Sequence, residues 1–224
     1  SASLKSELDN IQYLSIDLYD NFRDIAHIYF PKAIVCAASF HVLQHLTKDF
    51  RDVRFRCRRN TENPLLAYLL TKFKHVFHHE AFLDNAPRYN KRLKQNVNYR
   101  DSRDLLFTTF PDLEQTYELK EYYILFNESR TLEEVRDELP AVIGKFADSG
   151  LPEYDEFYTL LLNWPKEIVN SFTVINGKRI NNSYIESKNK LLEKILYNAN
   201  GFTNFKRTKN RILYCLNKND SYTL

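Results

Sequence analysis

The sequence predicts an α+β protein, mostly helical: a small strand–helix–strand unit near the start, a long helical middle, and a hairpin followed by two helices at the end. Three observations predict it. Only 4 Gly and 7 Pro in 224 residues leave little turn chemistry for an all-β fold. Two short apolar runs, Ile11 to Ile16 and Ala33 to Ala37, bracket a segment of helical spacing. From Phe40 to Phe172 the apolar residues recur at helical intervals, with no clear strand signal.

Ile11-Gln12-Tyr13-Leu14-Ser15-Ile16 is a β-branched and aromatic run ending at Asp17, the pattern of a strand with an acid at its C-terminal tip. Phe22, Ile25, Ala26 and Tyr29 then mark a helix stopped by Pro31. Ala33-Ile34-Val35-Cys36-Ala37 is a second strand. Strand, helix and strand with short links make parallel neighbours with a right-handed crossover. Sites in open α/β sheets gather at the carboxyl ends of strands, so Asp17 and Ala38-Ser39-Phe40-His41 should share one rim. Helices are expected over Phe40 to Asn60, Pro64 to His79, Asp101 to Phe110, Leu113 to Phe126, Leu132 to Phe146 (interrupted at Pro140) and Tyr154 to Phe172 (bent at Pro165). Asn176-Gly177 between apolar stretches signals a tight hairpin. Ser183, with Glu186 three residues on, reads as an N-cap and capping box. Ile185, Leu192 and Ile195/Leu196 mark the buried face of that helix, which should stop near Asn200-Gly201. A basic helix, Phe202 to about Leu216, closes the chain. The expected division is 1–42, the first part of an α/β core; 43–172, a helical insertion; and 173–224, the rest of the core.

No apolar run approaches the roughly 18 residues needed to cross a bilayer, and no signal peptide is evident, which points to a cytoplasmic protein without a membrane partner. Cys36, Cys57 and Cys215 are odd in number and widely spaced, fitting a reducing compartment rather than a disulfide frame or zinc knuckle. The net charge of +3 hides a strong asymmetry. Thirteen acids against four bases lie from Asp112 to Glu156; eight bases against two acids follow Glu186. A second basic run spans Lys48 to Arg59. Basic clusters toward both ends suit a polyanion, with solvated helix faces as the plain alternative. His75 and His79 have the i, i+4 spacing of zinc ligands but stand without further support. The chain does not begin with Met, and Ser1-Ala2-Ser3 reads as an expression scar on a piece of a longer protein.

An acid at an early strand tip, an α/β edge, a long helical interruption and then an acid on a helix is the order in which an RNase H-like nuclease core assembles a two-metal site. Paired carboxylates there hold cations roughly 3.5–4 Å apart, one activating the attacking oxygen and one stabilising the leaving oxygen. Asp17 and Glu186 are the two carboxylates; the plain reading of Glu186 is a helix cap.

Four stretches carry a resemblance to DDE-type bacterial insertion-sequence transposases of the IS-L-three group. They are Ser15 to Phe22; Phe30-Pro31-Lys32-Ala33-Ile34-Val35 through Ser39-Phe40-His41-Val42; Ser171-Phe172-Thr173 with Asn181 to Asn189; and Asn200 to Phe205 with Arg207 and Arg211. The resemblance implies an RNase H-like core and metal-dependent DNA cleavage and strand transfer. Asp17 and Glu186 would be the second and third acids of the triad, binding Mg²⁺ or Mn²⁺. It also implies DNA as partner, Lys188, Lys190, Lys194, Lys206, Arg207 and Arg211 as backbone contacts, and a homo-oligomer in the active complex. The family's first Asp has no counterpart here, since Glu7 and Asp9 sit in no matching context, so the chain by itself is expected to be inactive. Ala38 stands where the family usually has an acid three residues before His41, a site-edge position. Trp164 either stacks on a distorted base or packs in the core. Two other readings are a non-catalytic DNA-binding or assembly module and a helical protein-interaction domain.

Overall fold

The computed structural model describes residues 8–78, 86–128, 131–181, 183–198 and 204–216. The chain divides into two compact units, Ser1–Ile180 and Asn181–Leu224.

In the first unit, β1 (Tyr13–Ile16) and β2 (Ile34–Ala37) are parallel neighbours joined through α1 (Asp20–Tyr29). The register pairs Tyr13 with Ile34 and Ile16 with Ala37, so both strands end at the same level. The far edge of β2 is covered rather than open: Asn170 donates its side-chain N–H to the Val35 carbonyl (2.8 Å), and the Cys36 thiol donates to the Asn170 carbonyl (3.4 Å). A covered edge cannot template stray strand pairing. Burial also raises the Cys36 thiol to about 11, which suppresses the reactive thiolate.

Helix α2 (Ser39–Asn60) starts directly after β2. It is followed by α3 (Pro64–Lys72), a 3₁₀ turn (Lys74–Phe77), a short hairpin of β3 (Arg88–Asn90) and β4 (Gln95–Val97), then α4 (Tyr99–Thr109), α5 (Pro111–Asn127) and α6 (Leu132–Ala147). A second 3₁₀ turn (Pro152–Tyr154) leads into α7 (Asp155–Asn163) and α8 (Pro165–Asn170), and the hairpin β5 (Val174–Ile175) and β6 (Lys178–Arg179) ends the unit.

Two hydrophobic clusters share α2 and α5. Val42 and Leu46, early in α2, join Leu119, Tyr123 and Phe126, late in α5, in a cluster with the β-strands and α6 to α8. Phe50, Val53 and Cys57, late in α2, join Leu113 and Tyr117, early in α5, in a cluster with α3 and α4. The reversed order makes the two helices antiparallel and the common spine of the unit. Aromatic rings dominate the first cluster: Phe157, fully buried, meets Tyr123, Phe146 and Tyr154 at 4.8–6.4 Å between centroids, mostly edge to face. Such pairs add about 0.5–1.5 kcal/mol each beyond area burial.

Arg179 fastens the β5–β6 hairpin. Its guanidinium donates to the Ser171 carbonyl and hydroxyl and to the carbonyl and side-chain oxygen of Asn127, at 2.8–3.1 Å, and lies 3.5 Å over the Phe172 ring. Asn176 and Gly177 at its tip both have positive φ (50° and 74°), the left-handed pair that a two-residue hairpin turn requires.

Most expected elements appear within a few residues of their expected bounds. Three differ. The middle is not all helical, because β3 and β4 form an antiparallel hairpin. Its strands are three residues each and polar, so no alternation announces them. The turn is built by Asn90, whose side-chain oxygen accepts from the Arg92 and Leu93 N–H groups, and by Lys94 at φ 53°. The helix expected from Pro64 to His79 ends at Lys72. Leu69, Leu70, Phe73, Val76 and Phe77 are all buried, and that spacing serves an α-helix and a helix plus 3₁₀ turn equally well. The segment from Tyr154 to Phe172 is two helices that part at Trp164 (φ −122°, ψ 27°), since the residue before a proline is driven out of the α region. Pro140, by contrast, sits inside an unbroken α6. The interval 199–203, where the Glu186 helix was expected to stop, lies outside the described residues.

In the second unit, α9 (Ser183–Asn198) and α10 (Phe205–Leu216) pack on each other. Ile195 is buried and Leu192 half-buried, as the spacing predicts; Leu196 is 43 % exposed, because it falls one residue past the buried stripe, and the Ile185 side chain lies outside the described residues.

Asp49, on α2, is 2 % exposed and its Oδ2 lacks a hydrogen-bond partner. Burial raises its carboxyl from 3.8 to about 7; Lys48 opposes this, and Glu156, Asp52 and Glu153 add to it. The folded state therefore holds a proton that the unfolded state releases, so stability should fall as pH rises from about 4 to 7. Asp49→Asn should remove this loss. In urea titrations the variant should gain up to about 4 kcal/mol on the wild type between pH 4 and pH 7.5. A pH-independent difference would contradict the assignment.

Candidate functional site

Asp17 follows the last residue of β1, and Ala38 follows the last residue of β2. The Ala38 N–H extends the ladder by donating to the Ile16 carbonyl at 2.8 Å, which sets the two strand tips side by side. The chain then turns at each tip. Tyr19 N–H donates to the Asp17 carbonyl (2.7 Å) on the way into α1, and His41 N–H donates to the Ala38 carbonyl (2.9 Å) in the first turn of α2.

That turn aims His41 at Asp17: Nε2 lies 2.9 Å from Oδ1. The other ring nitrogen, Nδ1, lies 2.9 Å from the Gln44 side-chain oxygen, so a residue one turn along α2 fixes the ring. With Nδ1 turned to Gln44, Nε2 is the nitrogen left to meet the carboxylate. Oδ2 carries no hydrogen bond among the described residues, and the Asp17 side chain is 49 % exposed. A cleft of about 360 Å³ opens over it, lined by Asp17, Leu18, Tyr19, Phe22, His41 and His45. Burial, the Lys48 ammonium and the His41 ring lower the His45 value against an opposing Glu156, which favours a neutral imidazole in the cleft.

Ala38 is the N-cap of α2, 1 % exposed, and offers no side-chain oxygen to the free N–H groups of the helix. A carboxylate at this position would cap the helix and stand beside Asp17; alanine leaves Asp17 as the one acid at the paired strand tips.

Arg23 on α1 braces the wall of the site. It donates to Asp20 Oδ1 (2.6 Å) and to the Asn163 carbonyl (2.8 Å), approaches Glu167 (4.0 Å), and lies 4.3 Å over the Trp164 ring. Trp164 is 5 % exposed in the first cluster, so its indole is placed as a core residue with a guanidinium on one face. Tyr123 is likewise buried, and Tyr122 packs against the same cluster.

Glu186 lies in the first turn of α9, half-buried within the second unit. The helix begins at Ser183, and Asn182 before it lies outside the described residues. Lys190 and Lys194 on α9 and Lys206, Arg207 and Arg211 on α10 are exposed; Lys188 is half-buried. Asn204 starts α10 by accepting from the Arg207 N–H (3.1 Å). His75 packs between Phe73 and Tyr99, and His79 lies outside the described residues. Among the described residues no group of three His, Cys, Asp or Glu is placed to hold a metal, and no helix is long and apolar enough to cross a membrane.

The cleft brings Asp17 and His41, both named from the sequence, together with His45, Tyr19 and Phe22, which the sequence did not single out as site residues. The i, i+4 spacing of His41 and His45 was the available signal. Because the Asp17–His41 pair is half-open to water, His41→Ala should cost no more than about 1 kcal/mol in urea unfolding. A loss of about 3 kcal/mol would make the pair structural rather than a positioning contact.

A search of curated proteins returns no match, and neither does a search of solved structures. One family comparison does: the family of DDE transposases of the IS-L-three type, described as "Transposase", matches residues 1–212. That match spans both units and nearly the whole sequence, and the chain belongs to this transposase family.

Proposed function

We propose that the chain carries part of the catalytic centre of a DNA transposase that cleaves DNA and transfers the strand with divalent cations. On this reading Asp17 and Glu186 are the second and third acids of the centre, in an RNase H-like core interrupted by the helical insertion of residues 43–172. The observation that carries it is Asp17: an accessible carboxylate at the tip of a parallel strand, beside an imidazole, in a chain matched to a transposase family over residues 1–212.

The donor chemistry suits a hard cation. Asp17 lines the cleft with its side chain 49 % exposed, and carboxylate oxygen is the ligand type that Mg²⁺ and Mn²⁺ take. When bound, such cations stabilise the attacking and leaving oxygens of an in-line displacement at phosphorus. The chain's own residues do the rest. His41 orients the Asp17 carboxylate through Oδ1, and Gln44 holds His41. Tyr19 and Phe22 line the cleft beside Asp17. Lys188, Lys190, Lys194, Lys206, Arg207 and Arg211 hold the phosphate backbone without reading sequence. The protein acts on paired DNA ends as a homo-oligomer in the cytoplasm.

A second reading, a DNA-binding or assembly module without catalysis, is favoured by Ala38 at the strand tip. One experiment separates them: nicking of supercoiled DNA with Mn²⁺ by the full natural protein. Asp17→Asn and Glu186→Gln should each lower the rate by about 10²-fold or more, with duplex affinity kept within about threefold. Unchanged nicking by both variants would reject the assignment.

A further inference from the structure

A second cleft lies in the helical middle, away from Asp17. It encloses about 660 Å³ between α2, the first 3₁₀ turn and α5. Its floor is apolar, with Phe50, Phe77 and Ile124; its walls carry Arg51, Arg54, Lys74, His78 and Lys120. None of these cations belongs to the C-terminal set of candidate DNA contacts.

The cations are placed by the fold. Arg54 is 8 % exposed and anchored by a 2.6 Å bond to the Leu70 carbonyl. Lys120 is 7 % exposed, donates to the Phe77 carbonyl at 2.7 Å and pairs with Glu121 at 2.6 Å. Arg51 and Lys74 stand at the mouth, where Arg51 is 3.7 Å from Asp52. Burial and the neighbouring Arg51 both lower Arg54, the mark of like charges brought together. Two acids set against four Arg and Lys side chains leave an excess of positive charge in a partly enclosed site, where an anion would lower the repulsion.

We propose that this cleft is a phosphate-binding subsite, in which Arg51, Lys74 and Lys120 meet a phosphate group and the Phe50–Phe77 floor meets the apolar part of the molecule that carries it. Along α2, Arg51 is ten residues from His41, about 15 Å at 1.5 Å per residue. That is about four steps of a nucleic-acid strand at 3.4 Å per step. A strand lying along α2 could place one phosphate here while another part lies near Asp17. The phosphate chemistry follows from the cleft alone; its source, a polynucleotide rather than a free phosphate, rests on the transposase reading.

Two measurements on the intact protein test this. In the first, sodium phosphate is titrated at constant ionic strength while amide and histidine NMR signals are followed. Signals of Lys74, His78 and Arg51 should shift and saturate in the wild type, and stay still in Arg51→Ala/Lys74→Ala, whose side chains are exposed and leave the core intact. In the second, fluorescence anisotropy of a labelled 20-base-pair duplex is read across salt concentrations. The double variant should bind about five- to tenfold more weakly, with a log–log salt slope smaller by about one. Both effects together establish the subsite with a polynucleotide as source. Saturable phosphate binding with unchanged duplex affinity keeps the subsite and assigns it to a small phosphate. The same phosphate binding in a wild type that binds no duplex keeps the subsite and rejects the transposase reading. No saturable shift and no change in duplex binding overturn the proposal.

Discussion

The site depends on one constraint, the register of two parallel strands. Because Ile16 lies opposite Ala37 and the Ala38 N–H bonds the Ile16 carbonyl, the first residues beyond both strands are neighbours. A slip of one residue would turn Asp17 to the other face of the sheet. With the register fixed, α2 starts at the second tip and its first turn carries His41 to 2.9 Å from Asp17. The short crossover makes this geometry cheap: one ten-residue helix and two tight links bring two strand ends together.

A two-stranded sheet is too small to bury itself, and the helical middle supplies the missing core. Asn170 closes the outer edge of β2, Arg23 pins α1 to the α7–α8 junction, and α2 with antiparallel α5 links both hydrophobic clusters. The middle thus supports the strand tips. Arg179 extends the same logic to the hairpin that precedes α9: one half-buried guanidinium ties it to the ends of α5 and α8. Asp49, buried with an unpartnered oxygen, shows that the spine also carries a cost.

Much of this was legible in the sequence where a residue type has one physical meaning. The runs before Asp17 and Ala38 read as strands because β-branched residues recur in them, and Asn176-Gly177 read as a hairpin because few other pairs accept two positive φ angles. The β3–β4 hairpin escaped because its three-residue strands are polar and its turn depends on the Asn90 side chain. The end of α3 escaped because Leu69, Leu70, Phe73, Val76 and Phe77 have one spacing for two backbones. His45 and the cationic cleft escaped for another reason: their meaning lies in what tertiary packing brings near them. Lys120 sits in an acidic stretch of sequence, yet the fold sets it beside Arg54 and Lys74.

The most direct test of the account is the position of bound Mn²⁺, found from its anomalous scattering in crystals of the full natural protein with a DNA end. An ion is expected within about 2.5 Å of an Asp17 carboxylate oxygen, with the Glu186 carboxylate on the same ion or on a second one about 4 Å away. An ion bound elsewhere, with Asp17 still held by His41 and Glu186 on no ion, would contradict a shared metal centre.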